Sequence, residues 1–464
     1  MSARGSDAKA RAKAERALEQ RKRMREVEAE IISRNPEHII APTLARVEAV
    51  LDLLGRPERS APMVHITGTN GKTTTARMIE RLLLEIGLNT GRFTSPHLHD
   101  IRERLVIGGE LITAERFLAA YDDVIPYVQI ADAASQAEGG PRLSFFEVLV
   151  VMAYAAFADA PVDMQIVEVG MGGAWDATNS ADGAVAVFGP ISMDHEKYLG
   201  TDLASVAGEK SGIIKPGSIV VSAAQDPLVR EVLLERAGEV GVPVAFDGEG
   251  IEVLSRDVAV GGQLVTLRGL AGDYPDLLIP LFGEHQAHNA LLALTAVEAL
   301  VGGGETMLDR EVVAQAFSSV TSPGRLELVR RSPAVLVDAA HNPAAIASLI
   351  AGLGDSFTFA HTVGLLAVLE DKAAETMLEM LEPVFDEVVI SQSTSPRALP
   401  AAALGELALE IFGENRVIVD PHLPSALDTA MGLADAAGLA SGVVATGSVF
   451  TAGEVRMLLG RTDV

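Results

Sequence analysis

A glycine turn followed by lysine and threonine is the first feature of the sequence that could do chemistry. It reads Gly68-Thr69-Asn70-Gly71-Lys72-Thr73 and follows a short apolar run at residues 63–67. A strand, a glycine turn and a helix N-terminus together present backbone N–H groups and a positive dipole end to phosphate. Lys72 can neutralise the β- and γ-phosphates, and Thr73 can hold magnesium. The loop is the shorter GxxGKT form, because Ile66 stands where GxxxxGK[ST] has glycine. We predict a phosphate site here; the alternative is a glycine turn with a surface lysine.

Acidic, histidine and lysine side chains follow further apolar runs. Glu168 precedes a glycine cluster, Asp194 and His195 follow the next run, and Lys210 lies fifteen residues after His195. The carboxyl edge of a parallel sheet is where ligands bind in α/β proteins, and carboxylate oxygens suit magnesium. A lone histidine or lysine is more often structural or exposed, so these residues alone do not define the chemistry.

The same combination recurs near the C-terminus. Residues 338–343 read DAAHNP, with Asp338 and His341 between an expected strand and an expected helix. Arg325, beside the turn cluster at 321–324, could reach a phosphate or lie exposed on the surface. Polar clusters therefore stand at strand ends in both halves of the chain.

The elements that must position these residues are predicted from hydrophobic patterning in the 464-residue chain. Short β-branched runs alternate with helical segments, which is typical of buried parallel strands, whereas residues 261–282 indicate an antiparallel pair. After the turn cluster the alternation restarts, with one helix expected from Asp371. We predict an α/β protein: a P-loop ATP-binding domain over 31–322, with a central mostly parallel sheet and a small antiparallel sheet, and a Rossmann-like α/β domain over 323–464.

Composition limits the partners and the location. The formal net charge of −26 argues against nucleic acid, although residues 1–30 carry nine Lys and Arg against six acids. We predict a charged helical or flexible extension there, with a partner-binding arm as the alternative. No apolar leader region is visible, and the apolar run at 148–162 is too short to cross a membrane. With no cysteine in the chain, we expect a cytoplasmic enzyme without a membrane partner.

Ten motifs in one order closely resemble the folylpolyglutamate synthase/dihydrofolate synthase family of the Mur ligase superfamily. The resemblance runs from about residue 42 to the C-terminus. The motifs are GTNGKTT (68–74), TSPHL (94–98), SFFE (144–147), EVGMGG…DATN (168–179), DHEKYLG (194–200), EKSGI (209–213), HQAHNA (285–290), PGRLE (323–327), DAAHNP (338–343) and GSVFTAGEV (447–455).

The resemblance implies an ATP-dependent ligase of folate biosynthesis and one-carbon metabolism. A folate or pteroate carboxylate attacks the γ-phosphate of ATP, and the amine of L-glutamate then displaces phosphate from the acyl phosphate. The expected acceptors are reduced folates and also dihydropteroate, and the expected enzyme is a monomer that closes its domains around ATP. One alternative is a Mur-type ligase that adds an amino acid to a UDP-sugar cell-wall precursor. The other is a nucleotide-gated binding protein without chemistry.

The resemblance also implies a role for each matching residue. Catalytic roles fall on Lys72, Lys210, His195 and His341. The expected ATP contacts are Gly68, Thr69, Asn70, Gly71, Lys72, Thr73, Thr74, Asn289, Arg325 and Asp338. Two magnesium ions would be held by Thr73, Ser95, Glu168, His195 and Lys210, with Lys210 carbamylated. Folate would contact Ser144, Phe146, Asp176 and Ala177, and glutamate would contact His341 and Ser448.

Three segments depart from the family pattern. Trp175, the only tryptophan, stands where many relatives differ, and either stacks on a pterin or is simply buried. The stretch AVLEDKAAE at 367–375 differs from the expected shorter acidic loop. Residues 133–141 are predicted to form an added surface loop.

Overall fold

A large sheet organises the first part of the chain. The computed structural model describes residues 3–35 and 41–462. The sheet has eleven strands in the order β11-β10-β9-β8-β7-β6-β1-β5-β2-β3-β4. The strands are β1 Met63–Thr67, β2 Thr90–Phe93, β3 Leu105–Ile107, β4 Glu110–Leu111, β5 Met164–Glu168, β6 Val185–Phe188, β7 Ile219–Ser222, β8 Val244–Asp247, β9 Gly250–Ala259, β10 Gly262–Arg268 and β11 Asp273–Ile279.

The centre of this sheet is parallel, and the strands at its two ends, β9 to β11 and β3 to β4, pair antiparallel. Strands β8, β7, β6, β1, β5 and β2 run parallel, so their carboxyl ends lie along one edge. Strands β9, β10 and β11 form the antiparallel meander, which includes the pair expected between residues 261 and 282. The apolar runs form buried strands because both faces of the parallel section are covered by helices.

Ten helices accompany the first sheet in the described residues. They are α1 Ala3–Ile32, α2 Ala45–Leu53, α3 Lys72–Ile86, α4 Ala114–Ala137, α5 Phe145–Asp159, α6 Glu196–Leu199, α7 Leu203–Ser211, α8 Pro227–Val240, α9 Glu284–Gly302 and α10 Arg310–Ser318. Helix α9 is buried along most of its length, which explains why its sequence is apolar almost all round. Within the described ranges, no helix is long and apolar enough to cross a membrane.

The N-terminal helix is partly built into the core. Helix α1 extends to Ile32, so the boundary expected at residue 30 falls inside it. Val27 and Ile31 are buried in the cluster that α4 and α5 complete. Arg34, just after the helix, forms a buried ion pair of 2.9 Å with Asp132 on α4.

A second, six-stranded sheet follows in the order β12-β13-β17-β14-β15-β16. Only β12 is antiparallel to its neighbour. The strands are β12 Glu327–Arg331, β13 Ala334–Val337, β14 His361–Leu366, β15 Glu387–Ile390, β16 Val417–Val419 and β17 Ser441–Thr446. The helices are α11 Pro343–Ser356, α12 Ala374–Leu381, α13 Ala401–Phe412, α14 Leu423–Ala437 and α15 Val449–Leu458. The predicted Rossmann-like arrangement has this mostly parallel form.

Two local predictions were wrong. The segment at 133–141 is not entirely a loop, because α4 continues to Ala137 through a run rich in alanine, a strong helix former. The helix expected from Asp371 begins only at Ala374. The preceding residues are held in a loop by side-chain ion pairs, Asp371 with Arg397 and Lys372 with Asp194.

Candidate active site

A cavity of about 1140 Å³ lies where the carboxyl edges of the two parallel sheets face each other. Its volume exceeds the usual range for a single small-ligand pocket, roughly 300–1,000 Å³. Every residue to which the sequence assigned a site role lines this cavity. Most of those residues come from loops after β1, β2, β5, β6, β13 and β17 and from helices between them, while Ser144 precedes α5 and Arg325 precedes β12. The two sheets together therefore build one site.

The glycine turn connects β1 to α3 as a tight phosphate-sized loop. Gly68 and Gly71 have φ angles of 140° and 83°, which favour glycine. A Cβ on Gly68 would lie 2.9 Å from the backbone of Gly189, so the close approach also requires glycine. Lys72 opens α3 and its Nζ donates to the carbonyls of Gly68 at 3.1 Å and Thr69 at 3.2 Å. The ammonium therefore lies against the loop that the sequence predicts to hold phosphates.

Glu168 lies beside this loop and offers oxygen ligands. Thr73 Oγ1 donates to its two carboxylate oxygens at 3.1 and 2.9 Å, and the Ser95 backbone N–H donates at 3.2 Å. Burial raises the pKa of Glu168, while Lys72 opposes the shift. The described residues contain no cluster of three or more acidic or histidine side chains suited to a metal. A magnesium site completed by nucleotide phosphates needs only one or two carboxylates, so Glu168 and Thr73 fit such an ion.

Lys210, near the end of α7, approaches the same loop from the other side. Its Nζ donates to the Gly68 carbonyl at 3.1 Å, and the residue is 5% exposed. Burial, together with the charge of Lys72, lowers the pKa of Lys210 to about 7. A neutral amine is therefore accessible near neutral pH. As an ammonium, Lys210 does not fit as a metal ligand; it fits only if it is converted to an oxygen-bearing group.

Asp194 is the centre of an ion-pair cluster between the two sheets. Lys372, from the loop before α12, donates to its Oδ1 at 2.8 Å, and Asn342 donates to its Oδ2 at 3.2 Å. The Nε2 atoms of His195 and His341 both lie 3.9 Å from Oδ2. Burial opposes ionisation of Asp194, but His195 and Lys372 hold its pKa well below the ordinary value.

Two histidines of this cluster have lowered pKa values, which favour the neutral imidazole near pH 7. Burial lowers the pKa of His195 to about 4, although Asp194 opposes the shift. Burial likewise lowers the pKa of His341 to about 4. His195 has a φ angle of 54°, an uncommon backbone conformation for a non-glycine residue. Neutral imidazole nitrogens can accept protons or coordinate a metal, whereas protonated ones cannot.

Lys372 is a site residue that sequence reasoning missed. It is 5% exposed as a side chain and lines the cavity. The available signal was the unusual stretch at 367–375, where Lys372 sits between acids. Nothing in that stretch indicates contact with Asp194, which lies 178 residues earlier in the chain.

The residues expected to contact folate form another end of the cavity. Ser144 caps α5 by accepting from the Glu147 N–H at 3.2 Å. The rings of Phe146 and Phe93 lie 5.7 Å apart. Trp175 is half-buried and Ala177 is buried, and both line the cavity. This end is thus more apolar than the phosphate loop and offers aromatic surface to a flat ring.

Asp176 is held tightly at this apolar end. Its Oδ1 accepts from the Thr178 N–H at 3.0 Å and from Thr178 Oγ1 at 2.5 Å, and its Oδ2 accepts from the Met171 N–H at 2.9 Å. Burial raises the pKa of Asp176, while these donors oppose the shift. The carboxylate therefore holds the second glycine-rich segment, at 170–173, in addition to facing the cavity.

The remaining predicted ATP contacts lie on both sides of the loop. Asn289 on α9 packs against the phosphate loop, because a Cβ on Gly71 would lie 2.5 Å from its Oδ1. Thr74 Oγ1 is 2.8 Å from Ser322 Oγ in the turn between the sheets. Asp338 accepts from the backbone N–H groups of Leu326 and Ala340, both at 2.7 Å.

Two further residues of the second sheet also line the cavity. Arg325 donates to the carbonyl of Gly324 at 3.2 Å. Ser448 caps α15 by accepting from the Thr451 N–H at 3.0 Å. Both sides of the cavity thus contribute polar side chains to one space.

Comparison with known proteins identifies the family. Residues 324–449 match the family described as Mur ligase, glutamate ligase domain. The chain is 48% identical over 456 residues to the dihydrofolate synthase/folylpolyglutamate synthase of Mycobacterium tuberculosis, covering 94% of each chain. It is 31% identical over 366 residues to the folylpolyglutamate synthase of Lacticaseibacillus casei, covering 77% of this chain and 83% of that one.

Solved structures of members of the same family are similar to this chain in fold. The M. tuberculosis folylpolyglutamate synthase complexed with ADP superposes with a TM-score of 0.92 at 47% identity, covering 96% of this chain and 100% of that one. E. coli FolC in complex with DHPP and ADP superposes with a TM-score of 0.78 at 28% identity, covering 91% and 94%. The agreement in sequence and fold extends over nearly the whole length, and the chain belongs to the dihydrofolate synthase/folylpolyglutamate synthase family of Mur ligases.

Proposed function

We propose that the protein is an ATP-dependent ligase that adds L-glutamate to folates and also to dihydropteroate. The observation that carries the proposal is the single cavity in which Lys72, Glu168 and Lys210 surround the glycine loop while His341 and Ser448 approach from the second sheet. A carboxylate attacking a triphosphate brings two anions together, so fixed cations are required. Membership of a ligase family, with a relative solved with ADP, supports the same reaction.

The reaction has two steps. An oxygen of the folate or pteroate carboxylate bonds to the γ-phosphorus, and the bond from that phosphorus to ADP breaks. The amine of glutamate then bonds to the acyl carbon, and the carbon–oxygen bond to phosphate breaks. Lys72 binds the phosphates, and Gly68 to Gly71 orient them with backbone N–H groups. Neutral His341, whose Nε2 lies 3.9 Å from Asp194 Oδ2, is available to accept the proton that the amine loses.

Magnesium belongs to this proposal. Thr73, Ser95 and Glu168 would hold one ion, and His195 with modified Lys210 would hold a second. The ions would neutralise charge on the transferring phosphoryl group. The oxygen-rich arrangement at Glu168 supports the first position, since its carboxylate already converges with Thr73 Oγ1 and the Ser95 backbone.

Lys210 is proposed to carry a carbamate. Its neutral Nζ would bond to the carbon of CO₂ and lose one proton, which replaces a cation with an anionic oxygen ligand. The site favours this chemistry because Lys210 is buried beside Lys72, and because its Nζ donates to the Gly68 carbonyl and to no carboxylate among the described residues. Incubation with ¹³C-bicarbonate and Mg-ATP should give a carbamate ¹³C NMR signal that Lys210→Arg lacks. An identical signal in that variant contradicts the assignment.

The acceptor would place its ring system at the apolar end of the cavity. Phe146 and Trp175 offer aromatic faces there, and Ser144, Asp176 and Ala177 complete the wall. The relative solved with DHPP and ADP supports a folate-type ligand beside the nucleotide in this family. A cytoplasmic location and a monomeric state stay predictions from the sequence and the family resemblance.

The decisive experiment is ATP-dependent incorporation of radiolabelled glutamate, with dihydropteroate and tetrahydrofolate assayed separately and ADP release followed in parallel. Product with both acceptors is the expected result. Product with only one acceptor limits the ligase activity to that acceptor. ADP release with glutamate incorporated into neither acceptor removes the folate assignment, and a UDP-sugar precursor is then the next acceptor to assay.

A further inference from the structure

A histidine–carboxylate pair at another end of the cavity has no role in the reaction described above. His288 Nδ1 and Asp247 Oδ2 are 2.5 Å apart. The Asp247 side chain is 6% exposed and the His288 side chain 39%, and both residues line the cavity. The hydrogen bond to Asp247 raises the pKa of His288, while burial opposes the shift. Within the part of the chain that the structure describes, the second carboxylate oxygen, Oδ1, accepts no hydrogen bond.

The distance of this pair from the glycine loop matches the distance from the phosphates to the base in a nucleotide. Asp247 ends β8, and the order β8-β7-β6-β1 places it three strands from the strand that leads into the glycine loop. Parallel neighbours lie about 4.8 Å apart, so the separation along the sheet edge is about 14 Å. That distance is close to the span of an extended nucleotide from its phosphates to its base.

The surfaces between these two points suit a flat purine. Ala223 and Ala224, after β7, and Leu292 on α9 line the cavity there, so the wall is small and apolar. Helix α9 supplies Asn289 near the glycine loop and His288 beside Asp247. A nucleotide with its phosphates at the loop would therefore run along the sheet edge under α9 and end at Asp247.

A carboxylate distinguishes purines in a way that an amide does not. Adenine carries a hydrogen-bond-donating amino group at position 6, whereas guanine and hypoxanthine carry an accepting oxygen there. Ionised Asp247 can only accept hydrogen bonds, so it can pair with the 6-amino group of adenine. It cannot donate to the 6-oxygen of guanine or hypoxanthine, which would remain without a partner. The amides of Gln286 and Asn289, which hydrogen-bond to each other at 2.9 Å, can turn to offer either a donor or an acceptor.

We propose that Asp247, oriented by His288, determines the nucleotide specificity of this enzyme by accepting a hydrogen bond from the 6-amino group of adenine. His288 is a positioning residue: it occupies Oδ2 and leaves Oδ1 to the base. The inference rests on the proposed function only in taking the nucleotide phosphates to bind at the glycine loop.

Equilibrium binding by titration calorimetry tests this without folate or glutamate. The full-length protein is titrated with Mg-ADP, Mg-IDP and Mg-2′-deoxyADP, and IDP differs from ADP only at the 6-position and its ring tautomer. The wild type should prefer ADP over IDP by roughly 10- to 100-fold. Asp247→Asn should reduce that preference to near unity, because its amide can donate to the oxygen of IDP. His288→Asn should reduce it partially.

Glu387→Gln is the matched control, because Glu387 forms a similar pair with His361 at 3.0 Å in the second sheet, away from the cavity. It should leave the preference unchanged. The proposal is overturned if Asp247→Asn keeps the wild-type preference, or if that variant instead abolishes the difference between ADP and 2′-deoxyADP, which would assign Asp247 to the ribose.

The outcomes separate this inference from the proposed function. Selective ADP binding that depends on Asp247, in a protein that incorporates no glutamate, supports the inference and rejects the ligase. Glutamate incorporation by a protein whose preference for ADP over IDP does not depend on Asp247 supports the ligase and rejects the inference. If Asp247→Asn fails to fold by circular dichroism, His288→Asn decides, and a preference equal to that of the wild type overturns the proposal.

Discussion

The two sheet edges that face the cavity carry similar residue types but use them differently. At the first edge, half-buried Lys72 and buried Glu168 and Lys210 converge on the glycine loop at 68–71. At the second edge, Asp338 accepts hydrogen bonds from the backbone N–H groups of Leu326 and Ala340, and Ser448 accepts one from the N–H of Thr451. The first edge therefore directs charged side chains at the glycine loop, whereas these two residues of the second edge are already satisfied by backbone N–H groups.

The difference shows that a polar residue at a strand end has no fixed role. A buried charge costs free energy unless a partner or ligand compensates it, so the first edge is poised to receive charged ligands. A helix cap is already satisfied within the protein and stabilises the loop that it closes. Substitutions at the first edge should change chemistry, and substitutions at the second should change stability and ligand affinity.

The largest effect is expected from Lys72→Ala. Loss of the ammonium at the glycine loop removes charge stabilisation of the transferring phosphoryl group, and kcat should fall about 100- to 1000-fold. Initial rates of ADP release at saturating substrates measure it. Lys215→Ala removes a lysine outside the cavity and should retain the wild-type rate. A Lys72→Ala rate within a few-fold of the wild type would contradict the role of the loop.

Lys372→Met tests the contact that joins the two edges. It leaves buried Asp194 without its closest cation, and removal of one partner of a buried pair costs about 3 kcal/mol or more. The urea midpoint should fall accordingly. Adding Asp194→Asn to the same chain should recover part of the loss, because no unpaired charge then remains. A double variant as unstable as the single one would show that lost packing, and not charge, is responsible.

His65 lies on β1, in the middle of the first sheet, and its burial should make the stability of the protein depend on pH. Burial lowers the pKa of His65 to about 3, from an ordinary value of 6.5. As the pH falls below 6.5 the unfolded chain takes up a proton that the folded chain does not, so stability drops with falling pH. Between pH 7 and pH 5 the loss from this residue is about 2 kcal/mol.

The matched variant is His65→Gln, whose side chain can still donate to Thr178 Oγ1, the partner of His65 Nε2 at 2.9 Å. Urea denaturation at pH 7 and pH 5 should show a smaller change in this variant than in the wild type. Equal pH dependence in the two proteins would mean that His65 does not stay neutral on folding.

The smallest effect is expected at the second edge from Ser448→Ala. Loss of the α15 cap should cost about 1 kcal/mol of stability, read from the urea midpoint. Asp226→Ala, which removes the cap of α8 outside the cavity, is the control for capping alone. If Ser448 also contacts glutamate, its variant alone should raise the KM for glutamate. An unchanged KM would leave it a purely structural cap.

Much of the fold could be predicted because its signals are local. The apolar run at 63–67 forms β1, and a helix follows the glycine turn from Lys72, as the sequence predicts. Apolar β-branched runs and glycine turns act within a few residues, so their spacing in the chain carries the information. Helix ends were less predictable: α12 starts three residues late because a distant aspartate holds Lys372 in a loop.

The sequence by itself determined the glycine loop, the order of strands and helices and the family, since each depends on residues close together or on motifs in a fixed order. Only the tertiary structure decided that Lys372 meets Asp194 and that His288 meets Asp247. Those partners lie on different elements, and no spacing in the chain specifies which loops will share an edge. Packing of the two sheets brings them together, and burial then gives their charges strong effects.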